Sequence, residues 1–451
     1  MTTAYAAHPL IHNTRSVRRP RTPRWGILLF AIAALGLLAG CSTGQRNVAV
    51  YLLADATGAL HPADPAVTGT ISGTVRSAAT GPLGQATVVV ADRIGTPYTA
   101  VTDAAGRFRL TAPVGSYVVG AVALGYAEGQ TQDAETHAAT VTVAADSTNP
   151  APPLVLAPLD VPAPPADLAD AVQLTPTRVY TATSAFPAGS AAQVHAYSFT
   201  RAGVVNDTLR LYTPLEFDPA TPLPLLLAVY PGTVEGWESV SVSLAAQGYA
   251  LVAVAPVGAW ELDVDQHAAD ARVALTLAQQ GAFPVDMDAS RPVALGGSFS
   301  SAILYRLLRQ DPAGFGGWVT VGGIADAFSG AAAFYTDAIT VPPDYRFAIP
   351  ALGNPSRDPA AFLRFSPLYD VHSLPPTLLI HTAADEIIPI DQAYALEAAL
   401  RAAGIPVETY YYEDVSHYLQ IEENMTDAGR EMFARVVDFI ERYGSGAPSA
   451  P

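Results

Sequence analysis

Ser298 stands where a serine can be made reactive. It follows the short apolar run Pro292–Leu295 and the pair Gly296-Gly297, and it opens a stretch in which Ile303, Leu304, Leu307 and Leu308 recur at helical spacing. A strand that turns at once into a helix lifts the side chain at the turn out of the sheet. It also presents the next N–H, that of Phe299, at a helix start where an oxyanion can bind. Strand and helix nearly touch at such a turn, so the residues two to either side must be small, and they are Gly296 and Ser300. A serine hydroxyl is a weak nucleophile and needs a base, and the base needs an acid to orient it. Three histidines follow Ser298 in the chain. His372 precedes a Pro-Pro turn and His381 ends an apolar strand, both structural settings, whereas His417 lies in a loop after the tyrosine-rich run Val407–Tyr412. His417 is therefore the expected base. Asp385, in the loop after the run Thr377–Ile380, is the expected acid. Asp326 is the runner-up, and Asp414 lies too close to His417 in sequence to reach its far ring nitrogen.

These residues need a sheet to hold them. From Leu223 onward apolar runs alternate with helical stretches: Leu225–Tyr230, Tyr249–Val254, Pro292–Leu295, Trp318–Val321, Thr377–Ile380 and Val407–Tyr412. Near-continuous apolar strands imply a parallel sheet covered on both faces, with ligands bound at the carboxyl ends of the strands. Ser298, Asp385 and His417 each follow such an end. The order Ser, Asp, His is the one this architecture uses. The segment from 196 to 445 is thus expected to be one α/β domain with a doubly wound, mostly parallel sheet, opened by two antiparallel strands at Val194–Thr200 and Asp207–Tyr212. Asp265 and Asp270 read as solvated charges near a helix start.

Four motifs make residues 196–444 resemble an α/β-hydrolase of the prolyl-oligopeptidase-like and dienelactone-hydrolase-like branches. They are Gly296-Gly-Ser-Phe-Ser300, Phe365-Ser-Pro-Leu-Tyr369, Pro376–Asp385 with Ile388-Pro389, and Ser416-His417. The resemblance carries the roles of nucleophile, acid and base onto Ser298, Asp385 and His417. It implies acyl transfer on an ester, acyl or peptide substrate, with no cofactor. Two positions depart from the pattern: Tyr230-Pro-Gly-Thr233 replaces a His-Gly, and Thr382 replaces a glycine. Backbone N–H groups can still serve as oxyanion donors, and Phe299 and Thr233 are the ones expected. Tyr230 offers either a hydroxyl donor or the sign of a site that has drifted. The altered loop supports the alternative of an inactive hydrolase fold that binds cell-surface glycan or peptide. An insertion from about Ala327 to Pro375, with Phe334, Tyr335, Tyr345 and Phe347, is expected to cover the pocket and set an apolar specificity, and Trp237 to border it. No large β-propeller precedes the domain, so an esterase is favoured over a full peptidase.

Upstream, Arg15, Arg18, Arg19, Arg21 and Arg24 precede the apolar run Gly26–Leu38 and then Leu38-Ala-Gly-Cys41. A basic segment, an apolar core and small residues make a signal peptide over 1–40. Its ending resembles a bacterial lipobox, which implies cleavage before Cys41, lipidation of Cys41, and an extracytoplasmic protein anchored to the cell membrane or outer membrane. Residues 41–67 read as a polar tether with one apolar patch, Val48–Leu53. Short alternating strands over 68–158 (Ile71–Val75, Ala86–Val90, Arg107–Leu110, Ser116–Val119, Ala139–Val143) predict a small all-β sandwich, with a hairpin at Thr102–Phe108. Ser72-Gly-Thr-Val75, Gly81–Ala86, Gly106–Leu110, Pro113–Tyr117 and Gly125-Tyr126 make it resemble a carboxypeptidase-regulatory, transthyretin-like domain, read as a spacer or binding accessory. A Pro/Ala-rich stretch at 159–195 reads as a stiff linker and 446–451 as a tail.

The charge balance narrows the partners. All 24 basic residues are arginine, and without the five of the first forty residues the formal charge falls from −17 to −22. An acidic, lysine-free surface speaks against binding nucleic acid or an anionic membrane by charge. One cysteine rules out an internal disulfide and a multi-cysteine metal site, and no metal-ligand spacing appears. The sequence leaves oligomeric state open.

Overall fold

The computed structural model describes residues 42–417 and 427–445. The signal segment, Cys41 and the tail 446–451 lie outside the described residues.

The expected tether is a helix, Thr43–Ala56. Ser42 caps it: its Oγ accepts from Gln45 N at 3.3 Å, and Gln45 Oε1 accepts from Ser42 N at 2.9 Å. This reciprocal box satisfies donors that a helix start leaves open.

The sandwich follows. Thr68–Ser77 pairs antiparallel with Arg107–Pro113 in one sheet, while Thr87–Ala91 pairs with Pro97–Val101 and Gly120–Val122 in another. Ile71, Val75, Phe108, Leu110, Leu154 and Leu156 fill the space between them. The five expected strands are all present within three residues at each end. Thr102–Phe108 is a tight turn, with Gly106 N donating to Asp103 O at 2.8 Å and Gly106 at φ 71°. It does not close a hairpin, however; the strands on its two sides belong to different sheets.

The linker ends earlier than expected. A short helix, Leu168–Ala171, docks on the α/β core, and Thr175–Ser184 pairs antiparallel with Ser190–Arg201. The large sheet therefore begins at Thr175 rather than after 195. Its spatial order runs Thr175–Ser184, Ser190–Arg201, Arg210–Pro214, Ala250–Val254, Leu223–Val229, Met287–Gly297, Gly317–Val321, Thr377–Thr382, Val407–Tyr412. Pairing is antiparallel up to Ala250–Val254 and parallel beyond it.

Period-two burial explains the double winding. Leu225, Leu227 and Val229 enter one core with helices Val264–Gln279 and Phe299–Leu308. Leu226, Ala228 and Tyr230 enter the other, with Glu238–Ala245 and Asp427–Tyr443. A strand apolar on both faces must be covered on both.

The two domains are joined through the insertion. Val89, Ala91 and Val122 of the sandwich pack on Phe328, Phe362 and Leu363, and a Cβ on Gly95 would overlap the Phe328 carbonyl. Beside this contact Glu128 reaches from the sandwich to three arginines. Its carboxylate accepts from Arg306 Nη1 at 2.9 Å, Arg309 Nη1 at 2.8 Å and Arg364 Nε at 2.7 Å. Arg306 and Arg309 lie on or next to the helix that follows Ser298.

Neither Asp265 nor Asp270 is a freely solvated charge. Asp270 is buried, accepting from Arg201 Nε at 2.6 Å and Asn206 Nδ2 at 3.0 Å, and half-buried Asp265 accepts from Arg306 Nε at 2.6 Å.

Candidate active site

Ser298 sits between strand Met287–Gly297 and helix Phe299–Leu308 with φ 49° and ψ −128°. A non-glycine residue holds such angles only where its surroundings over-determine it. Here Ser298 N donates to both Val321 O and Gly322 O at 3.1 Å. Ser300 contributes more than small size: its Oγ donates to Gly297 O at 2.7 Å and accepts from Gly297 N at 2.9 Å. A Cβ on Gly296 would come within 2.7 Å of Leu304 Cδ1. One on Gly297 would overlap the Val321 carbonyl oxygen. Gly297, which the spacing argument passed over, is thus as constrained as Gly296.

His417 Nε2 lies 3.1 Å from Ser298 Oγ, and His417 Nδ1 lies 2.8 Å from Asp385 Oδ2. The Asp385 side chain is fully buried and that of His417 is 7% exposed. Burial pushes the Asp385 carboxyl up, but hydrogen bonds from His381 and His417 and the Ile388 N–H outweigh it and hold the group well below the usual carboxylate range. An ionised carboxylate only accepts, so Nδ1 carries the imidazole proton and Nε2 is the acceptor facing the Ser298 hydroxyl. Asp385 Oδ1 accepts from Ile387 N at 2.9 Å and Ile388 N at 2.7 Å, which locks the carboxylate in the loop. His417 N donates to Glu386 Oε2 at 3.1 Å.

His381 belongs to this group, although strand position alone made it structural. Its Nε2 is 3.3 Å from Asp385 Oδ2 and 2.9 Å from Ile388 O, two acceptors that place the ring proton on Nε2. Its spacing of four from Asp385 was the available signal. Asp326 is engaged elsewhere: it caps helix Ala327–Tyr335 by accepting from Phe328 N at 3.0 Å, and burial pushes its carboxyl up. His372 and Asp414 are exposed.

Phe299 is the first residue of its helix, where the N–H lies outside the intrahelical ladder, and it borders the cavity beside Ser298. Thr233 does not meet its expectation. It is exposed, and its Oγ1 accepts from Gly236 N at 3.4 Å. Of that loop Tyr230, Pro231 and Gly232 line the cavity and Thr233 does not; Pro231 has no N–H, which leaves Gly232 as the wall residue with a backbone donor at the loop's tip. The Tyr230 hydroxyl is committed to Ser241 Oγ, and its ring stacks on Trp237 at 5.8 Å.

Ser298 and His417 open onto a cavity of about 610 Å³. Leu244, Leu295, Val321 and Met432 form part of its wall, and Trp237 borders it as expected. The insertion roofs it, but through Ile339, Val341, Tyr345 and Ile349. Phe334 and Tyr335 pack instead against Tyr51 of the N-terminal helix, with ring centroids 6.2 and 5.6 Å away.

The architecture is that of an α/β-hydrolase domain behind a β-sandwich. Residues 242–446 match the prolyl oligopeptidase family and residues 70–151 the carboxypeptidase regulatory-like domain, so the chain carries a domain of each kind, the former from a serine hydrolase family. An uncharacterized peptidase of Bacillus subtilis, YtmA, is 36% identical over 73 residues, 16% of this chain and 28% of that protein, well under two thirds of its length. Among solved structures, esterase 2 of Thermogutta terrifontis is 18% identical with a TM-score of 0.43, over 55% of this chain and 94% of that one. The acylaminoacyl peptidase of Pyrococcus horikoshii is 15% identical with a TM-score of 0.44, over 80% and 54%.

Proposed function

We propose that the protein cleaves carboxylic esters by acyl transfer through Ser298, with His417 as general base and acid and Asp385 as its orienting carboxylate. Ser298 Oγ attacks the ester carbonyl carbon while His417 Nε2 takes its proton, and the carbonyl electron pair moves onto oxygen. Asp385 stabilises the imidazolium. The Phe299 N–H, with the Gly232 N–H as second donor, receives the oxyanion. Collapse expels the alkoxide, which takes the proton from His417. Water then attacks the acyl-enzyme by the same route and frees Ser298.

The observation that carries this reading is the continuous hydrogen-bonded line Ser298–His417–Asp385, ending on a buried carboxylate. An ester is favoured over a peptide because the cavity is mainly aliphatic and none of the described residues lining it is an arginine that could pair with a peptide carboxylate. Lipidation of Cys41, with the protein held on an extracytoplasmic membrane face, is part of the same proposal. It is supported by Leu38-Ala-Gly-Cys41 behind the basic and apolar run.

The test is pre-steady-state hydrolysis of p-nitrophenyl acetate and butyrate. A burst of nitrophenol equal to the enzyme concentration, followed by steady turnover, is expected, and Ser298→Ala should abolish both. Turnover that survives in Ser298→Ala would refute the assignment. Loss of lipid labelling in Cys41→Ser is expected, and unchanged labelling would remove the anchor.

A further inference from the structure

The helix Thr43–Ala56 has two unlike faces. One lies on the roof of the cavity. Asn47 Nδ2 donates to Ala351 O at 2.9 Å, Tyr51 packs on Phe334 and Tyr335, and a Cβ on Gly44 would touch Ala351 at 3.5 Å. Ser42 Oγ is 3.5 Å from Glu261 Oε2, and Glu261 lines the cavity. The helix start therefore marks the cavity's edge.

The outward face carries Val50 and Leu53 together with Thr43 and Arg46, all exposed. Val50 is 61% exposed, Leu53 63% and Leu52 48%, and no residue of the helix is buried. Val50 and Leu53, three apart, stand side by side on a helix. A surface helix ordinarily turns its large apolar residues to the core, and this one turns three of them outward. Tyr345, a roof residue that lines the cavity, is itself 59% exposed.

The sequence around this face fits a lipid occupant. Residues 42–54 contain no acid and one arginine, Arg46, in a chain of net charge −17. The helix starts two residues after Cys41, the expected lipid attachment point, so an acyl anchor there would bring the face onto the leaflet. Exposed apolar side chains beside an arginine, next to a lipid attachment point, can seat at a membrane interface.

We propose that the Val50–Leu53 face rests on a lipid leaflet and sets the roofed cavity at the bilayer surface, so that the substrates are acyl esters partitioned into the membrane. This rests on the readings of Ser298 as nucleophile and Cys41 as anchor. The anchor attaches the protein; the helix face orients it.

The test uses the full chain purified from bacterial membranes and reconstituted in phosphatidylethanolamine/phosphatidylglycerol vesicles. Hydrolysis of dissolved p-nitrophenyl acetate is compared with that of a long-chain monoacylglycerol held in the vesicles. V50D/L53D should keep the first rate within about twofold and lose about tenfold or more of the second. Val205→Asp, an equally exposed apolar position at 61%, should lose neither. Equal vesicle rates in V50D/L53D and wild type, or an equal loss in Val205→Asp, would overturn the proposal. If no form hydrolyses p-nitrophenyl acetate, the nucleophile reading has failed, and intact mass at Cys41 reports the anchor separately. Docking is then read by amide hydrogen exchange: slower exchange over 43–56 only with vesicles supports it. Unchanged exchange overturns it, as does protection that grows with protein concentration alone, the sign of a second copy on this face.

Discussion

Replacing Glu128 by glutamine should loosen the junction between sandwich and hydrolase domain by about 3 kcal/mol. The carboxylate is 3% exposed and faces Arg306, Arg309 and Arg364. Burial pushes its pKa up, but the three guanidinium groups outweigh this and hold it at about 2, against 4.5 for a free glutamate. A shift of that size corresponds to roughly 3 kcal/mol of favourable interaction of the charged form, near the low end of the roughly 3–5 kcal/mol typical for removing one partner of a buried pair. Asp265 and Asp370 remain to face the arginines in the variant, which keeps the loss at that end. The sign follows from linkage. The folded-state pKa is lowered, so the stabilisation is present above pH 4.5 and is lost as pH falls toward 2. Thermal unfolding followed by tryptophan fluorescence should show E128Q melting on the order of 5–10 °C below wild type at pH 7, with the gap closing between pH 4.5 and 2. A gap under about 2 °C at pH 7, or one that persists undiminished in strong acid, would refute the reasoning. Arg364→Ala, whose side chain is 49% exposed, should cost much less than E128Q.

Asp385→Asn should leave the histidine with the wrong tautomer and lower kcat about 10⁴-fold with little change in KM, measured on p-nitrophenyl butyrate. His381→Leu removes a hydrogen bond that holds the Asp385 carboxyl low, so the acid limb of the kcat/KM profile should move to higher pH, with His381→Gln restoring part of the shift. Ile349→Trp should fill the roofed cavity and shorten the preferred acyl chain across a p-nitrophenyl ester series, whereas Phe334→Ala, which faces Tyr51, should leave the preference unchanged. Gly297→Ala should abolish activity by driving a Cβ into the Val321 carbonyl, and wild-type turnover would contradict the geometry of the turn.

What the sequence made legible was the local chemistry. The strand, glycine pair and helical run around Ser298 foretold a strained turn because such a turn has few other solutions; the loop bearing Asp385 follows a fully buried apolar strand, and the loop bearing His417 follows a half-buried, tyrosine-rich edge strand. What it hid depended on contacts distant in the chain. Thr175–Ser184 is largely exposed and begins Thr-Pro-Thr-Arg, so its pattern lacks the apolar alternation that marks a strand, and pairing with Ser190–Arg201 defines it. The helix Thr43–Ala56 buries nothing fully, so its hydrophobic pattern was ambiguous; Ser42 and Gln45, three apart, were the readable sign. Gly232 rather than Thr233 reaches the cavity because the path of a loop is not encoded in residue type. Phe334 and Tyr335 looked like pocket residues because aromatic content cannot say which side of a helix meets the substrate and which meets Tyr51. Asp265 and Asp270 looked solvated because Arg306 and Arg201, which hold them, lie far off in sequence.

The most direct test of the central claim is covalent labelling by a fluorophosphonate probe, with the modified peptide mapped by mass spectrometry in wild type and in His417→Ala. Stoichiometric labelling of Ser298 in the wild type and at least a hundredfold slower labelling in the variant is the predicted result. Failure of the folded wild type to label, or equal labelling rates in the two proteins, would contradict a serine activated by His417.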